Sequence, residues 1–259
     1  MATALITGAS NGIGLELAKI HAAKGDDLVL VARNKQKLDE LKSELEAAHK
    51  VKVYTIGKDL SLPNAAKDVY DETTRQHISI DYLVNSAGFG DFGMFAETDW
   101  NKELQMINLN ITALTHFTKL YLQDMVKRRS GRIMNVASTA AFQPGPTMSV
   151  YCATKAYVLS FSEAVNNEVS DTGITITALC PGPTASGFQE AAAQEESKIV
   201  KGKKMPSAKA VAEFGYRAMM SGKTIAIHGM MNAILANSVR FMPRSLVVKV
   251  TRNLLDKAQ

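Results

Sequence analysis

Cysteine is nearly absent from this chain. Two residues in 259, Cys152 and Cys180, are too few for a disulfide framework, and they lack metal-ligand spacing. The five histidines (His21, His49, His77, His116, His228) are scattered without a metal-binding pattern, so each reads as a surface or satisfied core residue. No apolar run approaches the length of a membrane span. The start, Met-Ala-Thr-Ala-Leu-Ile-Thr-Gly, enters a strand with no charged leader and no cleavage-type stretch, so a cytoplasmic, reducing location is expected. Neither sign of charge dominates: 30 Lys and Arg face 25 Asp and Glu, a net charge of +5 and a pI near 9.1. The only short basic runs, Lys127-Arg128-Arg129 and Lys201-Gly-Lys-Lys204, read as solvated loops. This scatter argues against a nucleic-acid face, although a mildly basic surface suits a phosphate-rich small molecule. No low-complexity tract, repeat or Pro/Gly/Ser linker divides the chain, so one domain over 1–259 is expected, with 46% hydrophobic residues to build its core.

What is present is an alternation of strands and helices. Strands are predicted at Ala2–Thr7, Asp27–Ala32, Val51–Ile56, Asp81–Val84, Arg132–Ala137, Ile174–Cys180 and Thr224–His228. Helices are predicted at Gly12–Lys24, Lys35–Ala48, Pro63–Arg75, Trp100–Arg128, Tyr151–Ser170 and Ala208–Met220. Leu38, Leu41 and Leu45 keep helical spacing, and Pro63 stands near a first turn. Such β-α-β alternation implies an α/β fold, a parallel sheet with helices on both faces. Ligands of these sheets bind beyond the carboxyl ends of the strands.

At the first such end lies Thr7-Gly8-Ala9-Ser10-Asn11-Gly12-Ile13-Gly14. Gly8, Gly12 and Gly14 let the backbone turn tightly and let a pyrophosphate approach a helix N-terminus, whose N–H groups and dipole favour an anion. Ser10, Asn11 and Ile13 complete the candidate loop. The second strand ends at Ala32-Arg33, where an NAD-preferring chain places an acidic residue for the ribose 2′-hydroxyl. A guanidinium there would pair with a 2′-phosphate, so NADP(H) is the expected cofactor.

Further along, Ser138 precedes Tyr151-Cys-Ala-Thr-Lys155. A tyrosine and a lysine four apart on a helix share one face. There an ammonium can favour the phenolate and lower the tyrosine pKa, which suits proton transfer at an alcohol oxygen. Tyr54 and Lys58 repeat the spacing, but on a strand-like stretch that gives no common face.

Taken in order, Thr7-Gly8…Gly12-Ile13-Gly14, Asn85-Ser86-Ala87-Gly88, Asn108, Ser138, Tyr151…Lys155 and Pro181-Gly182-Pro183-Thr184 resemble the short-chain dehydrogenase/reductase family over about residues 1–228. The resemblance implies a Rossmann-type doubly wound sheet of about seven strands. It also implies that Asp59 and Leu60 contact the adenine, that Asn85 steadies the central sheet and lines the cofactor site with Ala87 and Gly88, and that Pro181 and Gly182 pass under the nicotinamide with Thr184 touching its carboxamide or a phosphate. Ser86 departs from a commoner asparagine. The resemblance makes Ser138 a hydrogen-bond donor to a substrate carbonyl and Tyr151 the proton donor. Lys155 becomes the ribose ligand and the support for Tyr151, and Asn108 part of a proton relay to that lysine, with Asn110 close by. The implied activity is NADP(H)-dependent hydride transfer to a ketone, aldehyde or 3-oxoacyl group, or from a secondary alcohol. A non-catalytic sensor or scaffold has no need of the whole set. An epimerase or dehydratase would share the glycine loop and the Tyr-Lys pair but be longer.

Family members use the stretch 185–206 as a substrate lid, here with Gly187 and Gly202 as hinges. Phe89-Gly-Asp-Phe-Gly-Met-Phe95 is a candidate pocket wall. The end, 229–259, is an extension of two expected helices, Met230–Met242 and Ser245–Leu255, separated by Pro243. Packing on its own domain is favoured for it over membrane contact. The helices at Trp100–Arg128 and Tyr151–Ser170 are where family members pair, so a homodimer or homotetramer is expected.

Overall fold

The computed structural model describes residues 1–188, 202 and 204–256. Its centre is a seven-stranded sheet, β1 (Thr3–Thr7), β2 (Asp27–Ala32), β3 (Val53–Gly57), β4 (Tyr82–Asn85), β5 (Gly131–Val136), β6 (Ile174–Cys180) and β7 (Ile225–Ile227), in the order β3-β2-β1-β4-β5-β6-β7. Every pairing is parallel. The chain runs outward from β1 to β3 and then crosses to β4 on the other side of β1. The carboxyl ends of β1 and β4, with Thr7 opposite Asn85, therefore flank a crevice at the topological switch point.

Alternation along each strand feeds two apolar layers. Ala4 and Ile6 of β1 and Leu28 and Leu30 of β2 face one cluster. It is completed by Leu17 of α1 (Gly12–Ala23), Leu38 and Leu45 of α2 (Lys35–His49), and Val211 and Met219 of α7 (Ala208–Met220). Leu5, Val29 and Val31 face the opposite cluster with Val69 of α3 (Ala65–Arg75) and Phe117 and Met125 of α5 (Leu114–Arg128). Burying each such large side chain contributes roughly 1.5–3 kcal/mol, and a one-residue register slip would exchange the two layers and spoil the packing of both. His21 lies fully buried among Tyr82 and Tyr216, with Nδ1 2.7 Å from the Asp26 carboxylate. Among the described residues no group of three His, Cys, Asp or Glu could hold a metal ion, and no helix is long and apolar enough to cross a membrane.

Several boundaries differ from expectation for local reasons. Helix α3 starts at Ala65 rather than Pro63 because Asn64 adopts a left-handed conformation (φ 62°). Lys50 (φ 55°) closes α2 in the same way, delaying β3 to Val53. The single helix expected at Trp100–Arg128 is interrupted: α4 (Trp100–Ile107) passes into a π-helical turn, Asn108–Ala113, before α5. A π-turn inserts an extra residue and re-aims the side chains beyond it. Helix α6 (Ser149–Glu168) follows a short 3-10 turn at Thr139–Phe142. After β7 come α8 (Met230–Ser238), a 3-10 turn (Val239–Phe241) and α9 (Arg244–Leu255), anchored by buried Ala236, Val247, Thr251 and Leu255.

Candidate active site

A cavity of about 810 Å³ runs along the carboxyl ends of the strands. At its floor, Gly8 (φ 70°) turns the chain out of β1, its amide donating to Val31 O at 2.8 Å. A Cβ on Gly8 would lie 2.9 Å from the Ala87 backbone, and one on Gly14 would lie 2.4 Å from Gly8 O. Both glycines thus permit close backbone approach. Asn11 caps α1, its Oδ1 accepting from Gly12 N at 2.8 Å, and the first turn of α1 opens on the cavity. Gly8, Ser10, Asn11, Gly12 and Ile13 line it, whereas Gly14 does not: its role is to pack under Gly8.

One end is polar and basic. Ala32, Arg33, Asn34, Lys37, Lys58, Asp59, Leu60 and Ser61 line it. Burial opposes ionisation of Asp59, but hydrogen bonds from the Ser61 hydroxyl (2.7 Å) and amide (2.9 Å), with the Arg33 charge, outweigh it and hold the carboxyl below its usual range. Lys37 and Lys58 carried no sequence signal of their own. Lys37 reaches the cavity because the α2 N-cap, Asn34, sets that first turn directly after β2.

The middle is held by Thr7, whose Oγ1 accepts from the amides of Ser86 and Ala87, both at 3.0 Å. Ser86, Ala87, Gly88 and Phe89 line the cavity. Asn85 does not. It lies beneath, donating to Asn135 Oδ1 (2.9 Å) and Thr118 Oγ1 (3.1 Å) and tying β4 to β5 and α5. Its side chain therefore ties the central sheet together, and of the two expected roles only the lining of the cavity is not seen.

At the other end Ser138, Tyr151 and Lys155 converge with Pro181, Gly182, Pro183 and Thr184. Ser138 caps the 3-10 turn, its Oγ accepting from Ala140 N at 3.1 Å. Lys155 donates to Val136 O at 2.8 Å, with Nζ 5.9 Å from the centre of the Tyr151 ring. The decoy pair is excluded, since Tyr54 lies on β3 and Lys58 pairs with Asp68 across to α3. The expectation that Lys155 lowers the tyrosine pKa is not met. Burial pushes the Tyr151 phenol well up, with the Ser138 hydroxyl pulling the other way, and burial pulls the Lys155 ammonium down to about 8. Two desolvated groups each favour their neutral form. Cys152, also lining the cavity, is pushed up to about 12 by burial and is a thiol at neutral pH.

Of the two helix asparagines, Asn110 rather than the expected Asn108 borders this end of the cavity. Asn110 is fully buried, its Nδ2 donating to Phe89 O (3.0 Å) and Thr154 Oγ1 (3.1 Å) and its Oδ1 accepting from Phe89 N (3.3 Å). A Cβ on Gly88 would sit 2.9 Å from Asn110 Oδ1 and 3.4 Å from Lys155 Nζ, so both border one spot. Asn108, half-buried at the start of the π-turn, makes none of these contacts.

A third, apolar arm extends from Tyr151 through Phe89, Met148, Phe188, Leu235, Met242, Val247, Val250, Leu254 and Leu255. Of the Phe89–Phe95 stretch only Phe89 lines it; Phe92 packs behind and Phe95 is exposed. Most of the expected lid, 189–201 and 203, falls outside the described residues. Its two ends meet, Ala185 N donating to Pro206 O at 2.9 Å, and Ser186, Gly187 and Phe188 line the cavity.

Burial gives Lys155 a testable pH signature. Below about pH 8 the folded protein must keep a buried charge, whereas an unfolded lysine keeps its proton up to about 10.5. Between those values the unfolded state binds more protons, so the Lys155 contribution to stability rises with pH. Denaturant midpoints of wild type minus Lys155→Met should be flat below pH 8 and rise above it. A difference that falls across that window would contradict the burial described.

Residues 2–197 match the short chain dehydrogenase family. The human very-long-chain 3-oxoacyl-CoA reductase is 29% identical over 260 residues, covering 97% of this chain and 78% of that protein. A short-chain dehydrogenase from Sphingobium yanoikuyae, solved with NADPH, is 30% identical, with a TM-score of 0.83 over 93% of this chain and 94% of its own. The bulky-bulky ketone specific alcohol dehydrogenase from Comamonas testosteroni is 29% identical, with a TM-score of 0.80 over 93% of this chain and 92% of that one. With nearly the whole described sheet inside the matched span, the chain belongs to the short-chain dehydrogenase/reductase family of oxidoreductases.

Proposed function

We propose that the protein is an NADP(H)-dependent reductase of hydrophobic carbonyl compounds, 3-oxoacyl groups among them. The observation that carries this is one continuous cavity with three ends: cationic at Arg33, Lys37 and Lys58, proton-donating at Ser138 and Tyr151, and apolar toward α9. The glycine cradle, which any Cβ at Gly8 or Gly14 would obstruct, fits a dinucleotide pyrophosphate at the N-terminus of α1. Arg33 and Lys37 fit a 2′-phosphate, and the relative solved with NADPH supports the same choice. When bound, the nicotinamide supplies the hydride for the carbonyl carbon.

The chain's own residues do the rest. Ser138 Oγ and Tyr151 Oη hydrogen-bond the carbonyl oxygen and stabilise the negative charge that develops there. Tyr151, kept protonated by burial, gives its proton to that oxygen. Lys155 then stands as the cation beside the resulting phenolate. Asn110 is a positioning residue, fixing Phe89 and Thr154 around the pair. The apolar arm excludes water and selects the substrate's hydrocarbon part. The outer faces of α5 and α6 leave Val126 and Tyr157 partly exposed, which suits pairing into a homo-oligomer.

The test is loss of NADPH and NADH absorbance across hydrophobic ketones, aldehydes and 3-oxoacyl esters. NADPH-selective turnover is expected. Arg33→Ala should raise the KM for NADPH by roughly 10–100-fold, the scale of a charge-assisted contact, and leave NADH nearly unchanged. Equal effects on both cofactors would remove the 2′-phosphate role.

A further inference from the structure

We propose that the exposed face of α8, the Val239–Phe241 turn and α9 docks onto an anionic lipid bilayer. One side of this hairpin packs on the domain through Ala236, Val247 and Leu255. The other is apolar and open to solvent. Met230, Met231, Ile234 and Leu235 form one stripe of α8, and Leu246, Val250 and Leu254 recur every fourth residue on α9. Phe241, at the turn between them, is 89% exposed and Met230 81%. A helical face this apolar, with cations beside it, is the pattern of a segment lying in a membrane interface.

Charge selects the occupant. Arg240, Arg244 and Lys249 are exposed around the stripes and make no ion pair among the described residues. From 229 to 256 the only acidic residue is Asp256, which is paired with Arg252 at 3.0 Å. A two-fold contact with a second copy would set this positive patch against itself, whereas anionic headgroups complement it. A nucleic acid would leave the apolar side chains unburied. Leu235, Val250 and Leu254 also line the cavity, so a docked face would open the apolar arm toward the hydrocarbon. That corollary rests on the reductase reading; the docking itself does not.

The experiment is co-sedimentation of the full chain with phosphatidylcholine vesicles, with and without phosphatidylglycerol, read without any activity assay. Binding is expected only with phosphatidylglycerol and should weaken as salt rises. Arg240→Ala with Arg244→Ala should weaken it roughly thirtyfold, at about 1 kcal/mol per basic residue. Ile234→Glu with Phe241→Glu should abolish it; both residues lie outside the cavity, so NADPH turnover should persist. Binding to phosphatidylcholine alone at equal strength, or binding that survives both double variants, overturns the proposal. So does an absence of vesicle binding, including the case where the glutamate variant changes the mass in sedimentation, which would make the face an interface between copies.

Discussion

Tyr151→Phe should lower carbonyl reduction by about 10²–10⁴-fold, the range of a positioned general acid, while NADPH binding stays near that of the wild type. The ring remains in the variant. It is buried, 5.2 Å from the Phe188 ring and beneath the Lys155 ammonium, so its packing survives loss of the hydroxyl. The Oη proton is lost, and with it one of two donors to the carbonyl oxygen. Ser138 persists as the other, held by its turn against Ala140 and Pro181, so a residual rate above the uncatalysed one is expected. Single-turnover absorbance with saturating NADPH separates the chemical step from cofactor binding. Wild-type-like turnover in the variant would remove Tyr151 as the acid and the reductase reading with it. The pH profile adds a second reading. Because burial holds the phenol well above its ordinary value, Tyr151 keeps its proton throughout the neutral range, and reduction should show no loss of rate there from titration of its acid.

Much of this site is written in local sequence, and the limits are physical. The glycine loop was legible because a phosphate-binding turn demands particular residue types at one strand end. The strands were legible because burial on both faces demands runs rich in apolar and β-branched residues, as in Asp27–Ala32 and Ile174–Cys180, whose bounds match the structure. What sequence could not show depends on the third dimension. That Asn85 stays out of the cavity wall follows from which way β4 alternates, and the role of Gly14 from the approach of Gly8 O. Lys37 and Lys58 come from different elements and meet only at the cavity. The apolar arm draws on Phe89, Met148 and Leu254, separated by most of the chain length. The tyrosine–lysine spacing correctly located a shared helical face, but it could not give the desolvation that dominates both groups.

The difference between Asn108 and Asn110 yields the second large effect. In an uninterrupted α-helix from Trp100 to Arg128, the two asparagines would lie about 200° apart around the axis, so only one could face α6. The π-turn over Asn108–Ala113 changes that phase, and Asn110 is the one buried against Thr154 of α6. Its amide satisfies both backbone groups of Phe89 in a stretch with no ladder partner. Asn110→Ala would leave those groups and the Thr154 contact unmet, at about 1–3 kcal/mol for each buried group left unpaired. Loss of stability on that scale is expected in denaturant titrations, and turnover should fall at least about tenfold, since a shift of about 1.4 kcal/mol in the barrier suffices. Asn108→Ala should stay within about 0.5 kcal/mol and keep its activity, as substitutions away from such features do. A purely structural Asn110 would lower stability and leave kcat untouched in the surviving folded fraction; a positioning residue lowers kcat per folded molecule. If instead Asn108→Ala lost turnover and Asn110→Ala kept it, the π-turn would have to be phased the other way, with Asn108 rather than Asn110 against α6.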